Sequence, residues 1–332
     1  MSWSIHPVSE LQAQLSIWQG LNASAGDSAM LHPDFIAPLI KHFGNGKEQL
    51  AIYQVNGQAK AMTVVEKTKP GVWQTVQPSQ APIGLWVSAP DIGLESCLQE
   101  LLHALPGTVV LFSLSQQDPD LLPRPQTTAT IRTLDYIDTA RIQVNTSFKD
   151  YWSARGKNLK HNLKRQGNRL KREEIEVRLV AITDIDDVRD AVKEYGNLES
   201  AGWKSEKGTS VQIDNDQGKF YNDMLQKFSV HEECRIYRYL YNKKLVATDL
   251  CVLHKGVLII LKTTFDENQK TSSPAMLMRK AIFTDIFDLK QANIIEFYGR
   301  VMDWHTKWSD EIRTMYHVNC YRWVLLAKLH GK

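Results

Sequence analysis

The chain has 332 residues, 43% of them apolar and 23% charged, with a net charge of +3. These values suit a globular protein long enough for two domains and by themselves name no partner. Four scattered cysteines without CxxC spacing argue against a metal site or a disulfide framework, and the absence of a leader-like N-terminus or of any run of about 18 apolar residues argues against secretion or a membrane span.

In chain order, the first clear amphipathic helix is expected over Pro33–Phe43. Three β-rich runs follow, Gln49–Val55, Gln58–Lys67 and Val72–Gln77, punctuated by the turn signals Asn56-Gly57 and "KPG". After a loop with three prolines, "VQPSQAPIGLWVSAPDIGLES", come a helix at Leu94–Leu105 and a strand at Thr108–Ser115. Two more β-rich stretches, "TIRTLDYID" and "RIQV", lead to a boundary near "VNTSFKDYW", which gives domains of residues 1–145 and 146–332.

The second domain opens on a basic helix. Between Tyr151 and Arg172 stand eight Lys and Arg residues and no Asp or Glu. A solvated helix usually mixes signs to gain i,i+4 pairs. This one is therefore either an unusual solvated face or a match for an anion: cofactor phosphates, a lipid-diphosphate-linked sugar, an anionic membrane or tRNA. Sparse aromatics argue against sequence-specific reading of nucleic acid.

The order of the first half then recurs: a helix near Gly218–Phe228 and β-rich runs at Cys234–Asn242, Leu245–His254 and Val257–Phe265, with turns at "NKK" and "KG". Ser273 and Pro274 suit the N-cap and first turn of the next helix. Met278, Ile282, Ile286 and Leu289 fall on its apolar face, with Arg279, Lys280 and Asp288 mostly opposite. A strand at Asn293–Gly299 follows, which a helical crossover would set parallel to the third run. The half ends on a β-rich "NCYRWVLLAKL".

Helix, three-strand meander, helix and parallel strand is the central order of the GNAT acyltransferase fold, and two copies in tandem resemble the FemAB-like peptidyltransferases. Four stretches bring the second half closer to the acetyltransferase family named for cellulose biosynthesis. "SARGKNLKHNLKRQGNRLKRE" looks like its serine-containing basic helix. "LESAGWKSEKGTSV" is similar to its Trp-Lys-x-x-x-Gly-Thr pattern. "SSPAMLM" resembles its Ser-Pro-Gly-x-Leu loop, with Ala275 in the glycine's place. "EFYGRVMDWHTKWSDE" is similar to its Asp-x-x-(Tyr/His)-x-Lys-x-x-Trp segment. The resemblance covers roughly residues 148–323.

It implies an α/β (α+β) fold of two tandem GNAT-like domains. Each is a mixed, mostly antiparallel sheet flanked by helices, with a parallel strand pair at the cofactor cleft. The first domain, whose proline-containing junction lacks a small-residue cap, is expected to be degenerate. In the second, acyl-CoA, most simply acetyl-CoA, is expected to thread between splayed parallel strands with its pyrophosphate at the helix N-terminus. Gln269, Lys270, Thr271, Ser272, Ser273, Ala275 and Met276 would form that cradle, with the N–H groups of Ser272, Ser273, Ala275 and Met276 as donors. Read locally, the same stretch is also a plain Ser-Pro helix cap.

Acyl transfer to an amine needs a proton acceptor, a polarised thioester carbonyl and a proton for the leaving thiolate. The catalytic candidates are Tyr298, Asp303, His305, Lys307 and Asp249. Tyr298 ends the parallel strand, His305 has an unperturbed pKa suited to a base, and Lys307 matches the family's lysine. Asp249 is an acid inside an apolar strand, facing the cleft or paired with Lys307. Glu199, Trp203, Lys204 and Trp308 are the acceptor-binding candidates, the tryptophans as stacking faces for a sugar. No metal is expected. The implied acceptor is an amino sugar, small or lipid-linked, in exopolysaccharide or cell-envelope assembly. The expected place is the cytoplasm, with the basic helix as a possible contact to the inner membrane. Two alternatives stand beside this: FemAB-like transfer from aminoacyl-tRNA, and a non-catalytic partner of a membrane polysaccharide synthase.

Overall fold

A computed structural model describes residues 1–201 and 211–329, apart from the side chain of Lys270. The chain forms two compact units, Met1–Asp138 with Arg313–Lys332, and Thr139–Ile312.

The first unit contains β1 (Ser2–Pro7), α1 (Leu11–Ser24), α2 (Pro33–Phe43), β2 (Gln49–Val55), β3 (Gln58–Lys69), β4 (Val72–Thr75), β5 (Trp86–Ser88), α3 (Leu94–Ala104) and β6 (Leu111–Gln117). Its strands run β1-β2-β3-β4-β6, with β5 paired to β3. The β4/β6 pair is parallel, in register Val72↔Leu111 to Gln74↔Ser113. Strand β7 (Ile131–Gln143) leads out of this unit into the second.

The second unit contains α4 (Phe148–Ala154), α5 (Lys157–Arg172), β8 (Val177–Ile182), α6 (Ile185–Ser200), α7 (Asp216–Val230), β9 (Cys234–Tyr241), β10 (Lys244–His254), β11 (Val257–Phe265), α8 (Pro274–Leu289) and β12 (Ile294–Glu296). Its strands run β12-β11-β10-β9-β8. The meander is antiparallel, and β12 lies parallel to β11, as the crossover helix requires. Tight turns set the register. Asn242 and Lys243 have φ of 48° and 69°, and Lys255 and Gly256 have 46° and 76°. Two successive positive φ values make hairpin turns whose twist matches that of the strands. Helix α8 covers the meander with Met278, Ile282, Phe283 and Ile286, all fully buried with Tyr237, Tyr239, Ala247 and Cys251.

Three features of the expected architecture differ in the structure. The expected division at 145/146 falls instead at 138/139, and the last strand, β13 (Glu311–Tyr321), belongs to the first unit. There it pairs antiparallel with β6 and places Tyr316, Val318 and Cys320 in that core. Meanwhile the end of β7 pairs with β12 through Arg141↔Glu296, Ile142↔Ile295 and Gln143↔Ile294. Each half thus gives its terminal strand to the other, a long-range pairing that local periodicity does not encode. Second, "VLLAKL" is helical, α9 (Val324–Leu329). Third, the basic helix is two helices: Arg155 and Gly156 take extended backbone, ψ 154° and 141°, and separate α4 from α5.

The proline-containing loop fills the end of the parallel pair in the first unit. Thr75 Oγ1 accepts from Ser115 N at 3.0 Å, and Gly84 N donates to Gln116 O at 3.1 Å. A Cβ at Gly84 would lie 2.2 Å from Ser115 O, so only glycine lets this loop approach.

Candidate active site

In the second unit the parallel pair parts early. Register runs only from Val257↔Ile294 to Ile259↔Glu296, after which β12 stops while β11 continues to Phe265. On its other side β11 carries an irregularity: Leu250 opposes Lys262 and Cys251 opposes Ile260, so Leu261 is left over as a bulge. The Glu296 carboxylate, buried, caps the turn beyond β12 by accepting from the N–H groups of Phe297 at 2.9 Å and Tyr298 at 3.1 Å. That bend puts Tyr298 at φ 50°.

Helix α8 starts beside the far end of β11. Its N-cap residue, Ser273, has left-handed backbone, φ 53° and ψ 53°, and its hydroxyl caps nothing, contrary to the expected Ser cap. Met276 N donates to Ser273 O at 3.0 Å, so it is not a spare donor. The Ser272 hydroxyl donates to Gln269 O at 2.8 Å and accepts from Tyr241 at 3.3 Å, so it too is committed. The N–H groups of Ser273 and Ala275 have no hydrogen-bond partner among the described residues. Thr271 is exposed and lines a cleft of about 810 Å³ with Lys164, Arg165, Arg169 and Arg172 of α5. Two free amides at a helix N-terminus, small side chains around them and a cationic flank suit a phosphate.

Asp249 lies at the centre of β10, opposite Thr263 and fully buried. Its partner is not Lys307, which is exposed, but Arg279, 3.7 Å away and 2% exposed. Arg279 was expected on the outer face of α8. It instead points at the sheet, donates to Thr263 Oγ1 at 3.0 Å and lies 4.4 Å from the centre of the Trp304 ring. Neither Asp249 oxygen is hydrogen-bonded among the described residues. Burial raises the Asp249 pKa, and the Arg279 charge opposes the rise. The sequence carried half of this signal. An acid within "LVATDLCVLH" demanded a cation, but one nominally on the outer face of α8 was not an obvious choice.

His305 is 4% exposed and stacked on Trp304, with ring centroids 3.4 Å apart. Its Nδ1 accepts from Met302 N at 3.0 Å. Burial and then the Arg279 charge push its pKa down to about 4, so it is neutral at physiological pH and no longer the near-neutral base the sequence suggested. The folded state therefore binds fewer protons here than the unfolded state, and stability is expected to fall as pH drops from about 6.5 to about 4. His305→Asn keeps an acceptor for Met302 and is expected to flatten that slope in urea titrations across this window.

The other candidates separate. Asp303 is exposed, and Tyr298 is half-buried. Trp308 is fully buried against Trp152 and Phe283, so it offers no face to a sugar. Glu199 is a buried anchor, accepting from Val211 N at 2.7 Å and from the Tyr195 hydroxyl at 3.1 Å. Trp203 and Lys204 lie outside the described residues. All four cysteines are buried and free, and burial pushes the Cys234 and Cys320 thiols up to about 12, which leaves no thiolate nucleophile among them. No helix among the described residues is long and apolar enough to cross a membrane.

Residues 157–305 match the family described as an acetyltransferase (GNAT) domain. No curated protein matches the chain. Among solved structures, the chain is similar to the C-terminal domain of a candidate lysylphosphatidylglycerol synthetase from Agrobacterium fabrum, at TM-score 0.60 and 12% identity over 96% of this chain and 94% of that one. It is also similar to L-PGS from Bacillus licheniformis, at TM-score 0.54 and 15% identity over 96% and 97%. A third is FemX, at TM-score 0.54 and 7% identity over 86% and 90%. At these identities the likeness is one of fold.

Proposed function

We propose, for a chain that carries a GNAT acetyltransferase domain within a tandem GNAT-like architecture, that the second unit moves an acyl group, acetyl in the simplest case, from acyl-CoA to an amine. The observation that supports this most is the α8 N-terminus. The unbonded amides of Ser273 and Ala275 stand beyond the point where β11 and β12 part, and the equivalent gap in the first unit is bridged by Thr75 and Gly84. When bound, the thioester supplies the activated acyl group. Ser273, Ala275 and Thr271 would hold the phosphates, and the gap between β11 and Phe297 would admit the pantetheine arm.

Asp249 is the best-placed proton acceptor among the candidates. It has a raised pKa, oxygens that accept no hydrogen bond among the described residues, and a position across from Thr263, past the end of β11/β12 pairing. Arg279 holds it in place, and Trp304 covers Arg279, so admitting an amine requires Trp304 to swing outward. The acceptor class, an amino sugar of exopolysaccharide or envelope assembly, rests on the family resemblance.

Titration calorimetry with acetyl-CoA, followed by transfer assays on amino sugars and simple amines, tests the reading. Micromolar binding and turnover on an amino sugar are expected. Absence of acyl-CoA binding together with retention of aminoacyl-tRNA would move the assignment to the FemAB-like reaction.

A further inference from the structure

Helices α5 and α8 enclose a groove of about 700 Å³, within the usual size of a ligand site. Its apolar lining is Leu163, Leu277 and Ala281, and its rim carries Lys160, Lys164, Lys171 and Lys280. None of these four lysines makes an ion pair among the described residues, although Asp285 also lines the groove. Among the described residues, Arg169 is the one α5 cation that is ion-paired, with Glu173 at 2.7 Å, and Lys157, Arg165 and Arg172 are exposed without a counter-charge there.

Gly167 opens this groove. It sits inside α5, where glycine is disfavoured, and a Cβ there would meet nothing within 4 Å. No packing requirement accounts for the glycine, and a side chain at this position would project into free space at the groove.

The groove is unsuited to a nucleobase. Tyr239 is buried, and the Trp152 ring is already taken by Phe148, stacked at 5.9 Å, and by Lys280 Nζ at 5.0 Å. What remains is an aliphatic floor under a lysine rim, beside further unpaired cations on the same helix. That combination complements a phosphate joined to a hydrocarbon chain.

We infer that the α5/α8 groove takes the headgroup of an anionic phospholipid, and that α5 thereby docks the protein on an anionic membrane surface. The rim lysines meet the phosphate, the first methylenes lie on Ala281 and along the lysine stems, and Lys157, Arg165 and Arg172 face neighbouring headgroups. The groove excludes Ser273, Ala275 and Asp249, and the variants below leave in place Lys164, Arg165, Arg169 and Arg172, which also flank the proposed phosphate site.

The test is co-sedimentation of the full chain with vesicles of phosphatidylcholine alone and of phosphatidylcholine mixed with phosphatidylglycerol. Salt-sensitive partition onto the mixed vesicles only is expected. Gly167→Glu adds a carboxylate at the groove on a Cβ that meets nothing within 4 Å, and is expected to weaken partition at least about fivefold, the factor roughly associated with one charge at such a surface. The Lys171→Ala/Lys280→Ala double variant should weaken it roughly 25-fold by the same arithmetic. Gly167→Ala is the fold control and should partition as the parent does. Acetyl-CoA affinity should be unchanged in all of these. Equal partition onto neutral vesicles, or none onto either, overturns the inference. So do charge variants that partition like the parent, loss of acetyl-CoA affinity in place of lipid affinity, or an RNA affinity that falls in their stead.

Discussion

Ala275→Glu is expected to abolish acyl-CoA binding while leaving the protein at least as stable as the parent. Ala275 is the second residue of α8, half-buried, with an N–H that has no partner among the described residues. An acid in the first helical turn interacts favourably with the helix dipole, by about 0.3–1 kcal/mol. The same carboxylate would occupy the place proposed for a phosphate and repel it. Like charges set against each other in a binding site cost several kcal/mol, so affinity should fall by about 100-fold or more. Calorimetry and urea unfolding on one preparation read both effects. A variant that binds acetyl-CoA as the parent does would remove α8 from the site. A variant that unfolds early would show instead that the N-terminus is only a structural junction.

The second large effect concerns Asp249 and Arg279. Asp249→Asn preserves shape but leaves Arg279 buried beside a neutral group. Breaking such a pair from one side typically costs about 3–5 kcal/mol. A compound variant, Asp249→Leu with Arg279→Met, removes both charges and should recover most of that loss, since apolar replacements of a buried pair are often neutral or better. Activity distinguishes the two roles. With Asp249 as proton acceptor, both variants should turn over about 10²–10⁴ times more slowly even though only one is unstable. Recovery of activity in the compound variant would reduce Asp249 to a structural partner of Arg279.

Much of the fold was legible because it is local. Asn56-Gly57, Asn242-Lys243 and Lys255-Gly256 announce hairpins, and the α8 face repeats at helical spacing. β1, α1, β5, β8 and α6 were missed, α1 carrying no strong apolar stripe and β5 lying inside the stretch read as a proline-containing loop. The site was half legible. Asp249 stood out as an acid in an apolar strand, but its partner did not, because Arg279 stands among residues read as the solvent face. Trp308 was misread for the opposite reason: beside a polar loop it looked available, whereas it fills the space between Trp152 and Phe283. The left-handed backbone at Ser273 explains why a serine followed by proline does not cap α8 here. That conformation turns its hydroxyl away from the first-turn amides, and no residue-type rule foretells it.

The crossed terminal strands have a consequence for biosynthesis. Residues 1–138 leave the ribosome first, yet their core lacks Tyr316, Val318 and Cys320 until nearly the whole chain has been made. Throughout that interval β6 presents an unpaired edge, the kind of template on which nascent chains join one another. The order of synthesis thus runs against the order of completion. The half translated last closes over β7, which is already in hand, whereas the half translated first must wait for β13.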